Sequence, residues 1–331
     1  MRRDLEASRR DPCTRSEEPR RYGSRVGTLD AAPTHARPRW RLAGEALGFP
    51  RPMAVGIVNV TDDSFYSGAR SRTPEVAVRD GLAMIREGFE LLDVGAVPAA
   101  AGPPVPPADE AARLVPAIEG LAESRRVPVM ADTFTREVAR RALDAGAAAI
   151  NDIGGGADPA MLDLVADAGC GYVLMHIDGP PREQRRPRSY DDPIAHLKGW
   201  FTQRLDAARR RGVAEEQIAL DPGFDFDLTV DDDVEILARL DELRDLGRPL
   251  FVSLSRKDFL GAVLAGSWEA RAPAENREWA TLAAVTLAVA SGAELMRLHD
   301  RNAVDAMRVA HRITGRRLAN ELSGGGSPVD G

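Results

Sequence analysis

Eight short apolar runs, each closed by a polar or ionisable residue and spaced by amphipathic stretches, constrain this chain more than anything else in it. The runs are Met53–Val58, Leu91–Val94, Val127–Ala131, Ala148–Ile150, Gly171–Met175, Ile218–Leu220, Pro249–Leu254 and Leu295–Leu298. They lack the in/out alternation of half-exposed strands, which suits parallel strands covered on both faces. Stretches such as Thr135–Ala145 and Val234–Leu246 carry a helical period between them. Eight β units, most followed by a helix, within about 270 residues predict an α/β fold, a single (β/α)8 TIM barrel, in preference to an open doubly wound sheet.

The residues that follow the runs are Asn59, Asp93, Asp132, Asn151, His176, Asp221, the Ser255-Arg256-Lys257 trio, and Arg297 with His299. In a parallel barrel these positions converge at the C-terminal mouth, where barrel enzymes place their sites. One polar residue after a strand is ordinarily a helix cap. Eight in register are hard to explain that way. Asp93 reads equally well as a residue that only orders its loop. The arginines at 182, 185, 186 and 188 read as a solvated charge run, with the steering of an anionic substrate as the alternative role.

Composition closes off other classes. The 331 residues, 44% hydrophobic and 29% charged, suffice for one barrel and a tail. A formal net charge of −7 argues against a nucleic-acid-binding surface. No apolar run reaches the roughly 18–20 residues of a transmembrane helix. Cys13 and Cys170 are too few for a disulfide framework or a Cys-rich zinc site. Arginines near the start are followed by Asp11, Pro12, Glu17 and Glu18 and not by an apolar stretch, so a cytoplasmic protein is expected. Residues 1–45, rich in Arg, Pro and Ser, are expected to be a disordered tail, 46–318 the barrel, and 319–331 a flexible end.

Read as chemistry, the mouth offers three kinds of group. Asp132, Asn151 and Asp221 suit a heterocycle that presents adjacent N–H donors and acceptors. Lys257, Arg297 and His299 suit an anion, most naturally a phosphate. Asn59 offers a neutral oxygen appropriate to Mg²⁺, which keeps several waters and bridges phosphate oxygens. An amino-heterocycle carrying a diphosphate satisfies all three sets.

These residues sit in segments that resemble the dihydropteroate synthase family from about Met53 to Ile313. Gly56-Ile57-Val58-Asn59-Val60-Thr61-Asp62-Asp63-Ser64-Phe65 is similar to that family's first loop, and Asp132-Thr133-Phe134 with Asn151-Asp152-Ile153 to its third and fourth strand ends. Met175-His176 with Tyr190-Asp191-Asp192, Asp221-Pro222-Gly223-Phe224-Asp225-Phe226, Ser255-Arg256-Lys257-Asp258-Phe259-Leu260-Gly261 and Arg297-Leu298-His299-Asp300 follow in family order. The resemblance implies condensation of 6-hydroxymethyl-7,8-dihydropterin pyrophosphate with p-aminobenzoate, giving dihydropteroate and pyrophosphate, with Mg²⁺ as cofactor. It also implies a homodimer. In such a reaction the C–O bond to pyrophosphate largely breaks before the amine attacks, so catalysis is mostly leaving-group stabilisation and positioning. By the same resemblance, Asp132, Asn151, Met175, Asp221, Phe226 and Lys257 hold the pterin. Asn59, Arg297 and His299 hold pyrophosphate and metal, with Lys257, Arg297 and His299 as catalytic groups. Phe65 and Ser255 lie on the p-aminobenzoate side.

The second loop departs from the family pattern. Where that pattern has Ser-Thr-Arg-Pro-Gly, this chain has Gly95-Ala96-Val97-Pro98-Ala99-Ala100-Ala101-Gly102-Pro103-Pro104, without a hydroxyl or a cation. A charge-assisted contact of roughly 1.5–3 kcal/mol is thereby missing from loop two. Asp62, Ser67 and Asp227-Leu228 are smaller departures; the lost Arg and Lys together with the gained Asp62 and Asp227 make the mouth less attractive to anions. Two further readings follow: a non-catalytic pterin-binding paralogue, or a pterin transferase acting on a different amine.

Overall fold

The computed structural model describes residues 38–42, 44–61, 73–184 and 186–323, with side chains through residue 315. A short antiparallel hairpin, β1 (Arg39–Leu42) and β2 (Glu45–Gly48), precedes eight parallel strands. These are β3 (Met53–Asn59), β4 (Leu91–Gly95), β5 (Val129–Asp132), β6 (Ala149–Asp152), β7 (Gly171–Met175), β8 (Ile218–Asp221), β9 (Phe251–Ser253) and β10 (Leu295–Leu298). Each neighbours the next in sequence, and β10 returns to pair with β3. A single parallel bridge, Leu220 to Leu250, joins β8 to the start of β9 and closes the ring, with Leu220 N donating to Pro249 O at 2.9 Å.

Nine helices are described: α1 (Pro74–Glu87), α2 (Pro107–Glu123), α3 (Arg136–Asp144), α4 (Pro159–Ala168), α5 (Pro193–Arg210), α6 (Val230–Ala238), α7 (Asp258–Ala265), α8 (Glu278–Ala290) and α9 (Arg301–Ser323). Three begin on one device. Thr73, Asp158 and Asp192 each accept a hydrogen bond from a first-turn N–H, and Pro74, Pro159 and Pro193 follow them. The stretch read as one helix from Val234 to Leu246 is α6 followed by a 3-10 segment, Leu240–Leu246. No helix among the described residues is long and apolar enough to cross a membrane.

Strand parity builds the interior. Val55, Leu91, Met130, Ala149, Val173, Ala219, Phe251 and Leu295, one from each barrel strand, pack together and against Trp40, Leu42 and Phe49. The alternate residues (Leu92, Ala131, Ile150, Leu174, Leu220, Val252 and Met296 among them) face the helices. Trp40 is fully buried, and its indole N–H donates to Gln217 O at 2.8 Å. The hairpin thus covers the end of the barrel from which the strands start.

This corrects two expected boundaries. The tail was expected to run to residue 45, yet Arg39–Leu42 is a strand whose alternate residues Trp40 and Leu42 are buried. Averaging over an Arg/Pro-rich window hides a four-residue pattern of period two. The C-terminal tail was expected from 319, but α9 continues to Ser323. The remaining tail positions lie outside the described residues.

Candidate active site

Successive residues of a strand point to opposite faces, so every second position after the interior layer faces the barrel axis again. From Val55 this gives Ile57 and Asn59; from Leu91, Asp93; from Met130, Asp132; from Ala149, Asn151. Val173 leads to Met175, Ala219 to Asp221, Phe251 to Ser253 and Ser255, and Leu295 to Arg297 and His299. Cross-strand register places these side by side: Asp132 opposite Asn151, Met175 opposite Asp221, and Arg297 opposite Ser253.

They open into a cavity of about 430 Å³ at the C-terminal mouth. Asn59, Asp132, Asn151, Met175, Asp221, Phe226, Ser255, Lys257, Arg297 and His299 all line it. Every site residue expected from sequence is therefore brought to one place, except Phe65, which lies outside the described residues. His176 is different. One position beyond Met175 it has the opposite parity, is fully buried, and packs toward α5, outside the cavity.

The floor is a charge network centred on Asp93, which is fully buried. Arg297 Nε donates to Asp93 Oδ2 at 2.5 Å, and Arg297 Nη2 donates to Asp132 Oδ2 at 2.8 Å. Asn151 Nδ2 donates to the same Asp93 oxygen at 3.0 Å. Asn151 Oδ1 and Asp93 Oδ1 are buried without a hydrogen-bond partner. A buried, unpaired polar atom is costly unless something pairs with it. Asn151 Oδ1 is therefore a ready acceptor for an N–H of a bound heterocycle.

Burial sets the protonation states. It pushes Asp132 up to about 7, helped by Asp93 and opposed by Arg297. Burial likewise raises Asp221 to about 6, against the Gly223 N–H at 2.8 Å and the nearby Lys257. Lys257 is lowered by burial; its Nζ donates to Phe224 O at 2.7 Å and stands 4.7 Å from the centre of the Phe226 ring. Burial and then Arg297, Arg256 and Lys257 hold His299 down at about 3, so its ring is neutral at pH 7. Its Nδ1 sits 2.8 Å from Ser255 Oγ. Burial opposes the charge on Arg297, but Asp93 and Asp132 outweigh it and raise its pKa.

Loop conformations at the rim are strongly determined. Gly223 has φ +75°, and a Cβ there would lie 2.1 Å from His176 O, so only glycine fits. Asp225, with φ 69°, accepts from Asp258 N and Phe259 N, fixing the start of α7 beside Lys257. A non-glycine residue in this region costs energy that surrounding contacts must offset.

Sequence reasoning missed three features. Asp93 is the network's hub, and only inward parity separates it from a loop-ordering aspartate. Thr61 lines the cavity with its buried Oγ1 unpartnered. Arg182, read as one of a solvated run, also lines the cavity, and its guanidinium donates to Pro98 O at 2.5 Å and to Pro103 O at 2.8 Å. An arginine from the loop after β7 thus straps the apolar second loop that lacks one of its own. No local motif signals that pairing.

Over residues 55–299 the chain matches the family described as pterin binding enzyme. It is 40% identical over 260 residues to dihydropteroate synthase of Mycobacterium leprae, covering 77% of this chain and 91% of that protein. Among solved structures, the Xanthomonas albilineans dihydropteroate synthase with 4-aminobenzoic acid aligns with a TM-score of 0.75 at 39% identity, over 84% of this chain and 98% of that one. The Burkholderia cenocepacia dihydropteroate synthase complexed with 7,8-dihydropteroate aligns with a TM-score of 0.74 at 37% identity, over 85% and 98%. By profile, sequence and structure the chain belongs to the pterin-binding enzyme family, among the dihydropteroate synthases.

Proposed function

We propose that the protein condenses 6-hydroxymethyl-7,8-dihydropterin pyrophosphate with p-aminobenzoate to dihydropteroate and pyrophosphate. The observation that carries this reading is the inward set Asp132, Asn151, Asp221, Lys257, Arg297 and His299, gathered in one cavity whose size suits a small heterocycle. Relatives of this chain bind 4-aminobenzoic acid and 7,8-dihydropteroate.

In this reading Asp221 and Asp132 accept from the amino and ring N–H groups of the pterin, and Asn151 Oδ1 takes another. Lys257 reaches the opposite side of the ring, and Phe226 with Met175 supplies apolar walls. Arg297, fixed by two carboxylates, holds a cation where negative charge grows on the departing diphosphate, and His299 donates one N–H to it. As the C–O bond breaks and its electron pair leaves with the diphosphate, the amine nitrogen of p-aminobenzoate bonds to the pterin methylene and gives up a proton to the departing diphosphate or to water. Ser255 lies on the acceptor side.

The donor set fits Mg²⁺. Asn59 and Thr61 line the cavity with neutral oxygens, and Thr61 Oγ1 is unpartnered. These two residues would hold the ion, which when bound neutralises diphosphate charge. The purified protein given both substrates and Mg²⁺ should release pyrophosphate and form dihydropteroate. Turnover no faster than buffer sinks the proposal.

A second reading concerns the acceptor. Val97 to Ala101 line the cavity with no hydroxyl, so a panel of aryl amines should show whether a less polar acceptor outcompetes p-aminobenzoate. Exposed Val263, Leu264, Trp279, Leu287, Val309 and Ile313, on helices α7 to α9, support a homodimer. Trp279→Glu should then yield a monomer by light scattering.

A further inference from the structure

Outside the cavity, three donor atoms converge behind the loop after β7. His176 Nε2 and His196 Nε2 are 3.2 Å apart. Asp178 Oδ2 lies 3.5 Å from the first and 3.4 Å from the second. All three come from separate backbone positions: His176 just past β7, Asp178 two residues on, and His196 in the first turns of α5. None of them lines the substrate cavity.

These distances have a meaning. Ligand atoms about 2.0–2.1 Å from a tetrahedral zinc ion are about 3.3–3.4 Å from each other. Around an octahedral ion such as Mg²⁺ at about 2.1 Å, adjacent ligands approach to about 3.0 Å. The observed triangle matches one face of a tetrahedron. Two neutral imidazoles and one carboxylate are also the donor set that selects a borderline transition metal over Mg²⁺.

Asp178 Oδ2 accepts the Tyr190 hydroxyl and can accept an N–H from either ring, whereas the two facing imidazole nitrogens can share only one proton between them. Tyr190 donates its hydroxyl to Asp178 and stacks on the His196 ring at 3.8 Å. Trp200 packs edge-on against His176 at 5.0 Å. The walls are thus rigid, as a metal site requires. Asp178 is 9% exposed and His196 25%, which leaves a way in from solvent.

We propose that His176, Asp178 and His196 form a zinc site, separate from the substrate pocket, that clips the loop after β7 to α5. The fourth position is left for water. His176 Nδ1 has no hydrogen-bond partner, so the site lacks the outer anchor usual for a metal-bound histidine. Such a lack costs roughly 10–100-fold in affinity, which places this site nearer micromolar than picomolar binding. Arg188, the cation whose charge acts on both His196 and Tyr190, weakens binding further. The clipped loop is the one that carries Arg182 to the second loop.

The test uses the full chain stripped with a chelator and titrated with Zn²⁺ by competition with a chromophoric chelator. About one equivalent should bind at micromolar strength or tighter, and Co²⁺ in its place should give the intense visible bands of tetrahedral coordination. Zn²⁺ should raise the melting temperature of the wild type. His196→Gln, at a partly exposed position, and Asp178→Asn should each weaken zinc binding at least about tenfold. Circular dichroism of the metal-free variants shows whether they fold, and His196→Gln alone decides if Asp178→Asn does not. Asn59→Ala, in the substrate pocket, should leave zinc binding unchanged. No binding at 100 µM Zn²⁺, wild-type binding by His196→Gln, or loss of binding in Asn59→Ala overturns the proposal.

Discussion

Replacing Asp221 by asparagine separates what this carboxylate does for the ligand from what it costs the fold. Asp221 is 3% exposed, and burial raises its pKa from 3.8 to about 6 even though Gly223 N–H, Lys257 and Arg297 oppose the shift. A folded-state pKa above the unfolded one means that the native state binds the proton more tightly. Stability is therefore fully present below 3.8, falls as pH rises toward about 6, and stays at its lower level above that. At about 1.4 kcal/mol per pH unit, keeping the ionised group in the native protein costs about 3 kcal/mol at neutral to alkaline pH. Asparagine retains an oxygen for Gly223 N–H and carries no charge. Asp221→Asn should thus stabilise the unliganded protein by roughly 1–3 kcal/mol in urea at about pH 8. The gap from wild type should close as pH falls toward about 4. Affinity for a dihydropterin should meanwhile drop about ten- to a hundredfold, the worth of one charge-assisted hydrogen bond. A variant no more stable than wild type at alkaline pH, or a gap that ignores pH, refutes the desolvation argument.

Three other perturbations follow from particular contacts. Asp93→Ala strips Arg297 and Asn151 of their shared acceptor and leaves a cation half-unpaired, so urea unfolding should show a loss of about 3–5 kcal/mol, and steady-state kinetics a fall in kcat/KM. Trp40→Ala empties the plug beneath the barrel; it should cost about 3–5 kcal/mol by the same measurement while leaving kcat per folded molecule unchanged. Arg182→Ala releases Pro98 O and Pro103 O and removes a cation from the rim. It should lower kcat/KM about ten- to a hundredfold, mainly through KM for the diphosphate.

The barrel was legible because its strands are apolar on both faces and because polar residues follow each one. The floor was legible from the polar residues that follow each strand, and parity explains why they meet: Asn59, Asp132, Asn151, Asp221 and Arg297 all lie an even number of residues beyond an interior side chain. The same rule, applied strictly, places Asp93 inside and His176 outside. Reading only which residues follow a strand, without counting from its interior layer, left both unresolved. The hairpin escaped because two buried residues, Trp40 and Leu42, sit among arginines and are explained by packing against Phe251 and Leu295 far along the chain. Arg182 escaped for a related reason. Its partners Pro98 and Pro103 lie in a different loop, and nothing near residue 182 records them.

These two kinds of legibility bear on how the site can change. A floor residue cannot be moved by a single step, because slipping a strand by one position turns its interior side chain, such as Val55 or Met130, out of the barrel along with the site residue. Loops carry no such penalty. The second loop has replaced its hydroxyls and its cation with alanine and proline, yet a cation returns to the same rim from the loop after β7 through Arg182. Recognition of the pterin and the Arg297 hold on diphosphate are therefore bound to the register of the barrel, while the rim contacts to diphosphate and the choice of amine are set by loops that can trade residues. On that reasoning, restoring the family's Ser-Thr-Arg-Pro-Gly run at Pro98–Gly102 should gain little while Arg182 stays, since two guanidinium groups would compete for one rim. The same graft combined with Arg182→Ala should recover the activity that Arg182→Ala alone loses, as measured by kcat/KM. Additive gains from graft and Arg182 together would show that the two cations occupy different places.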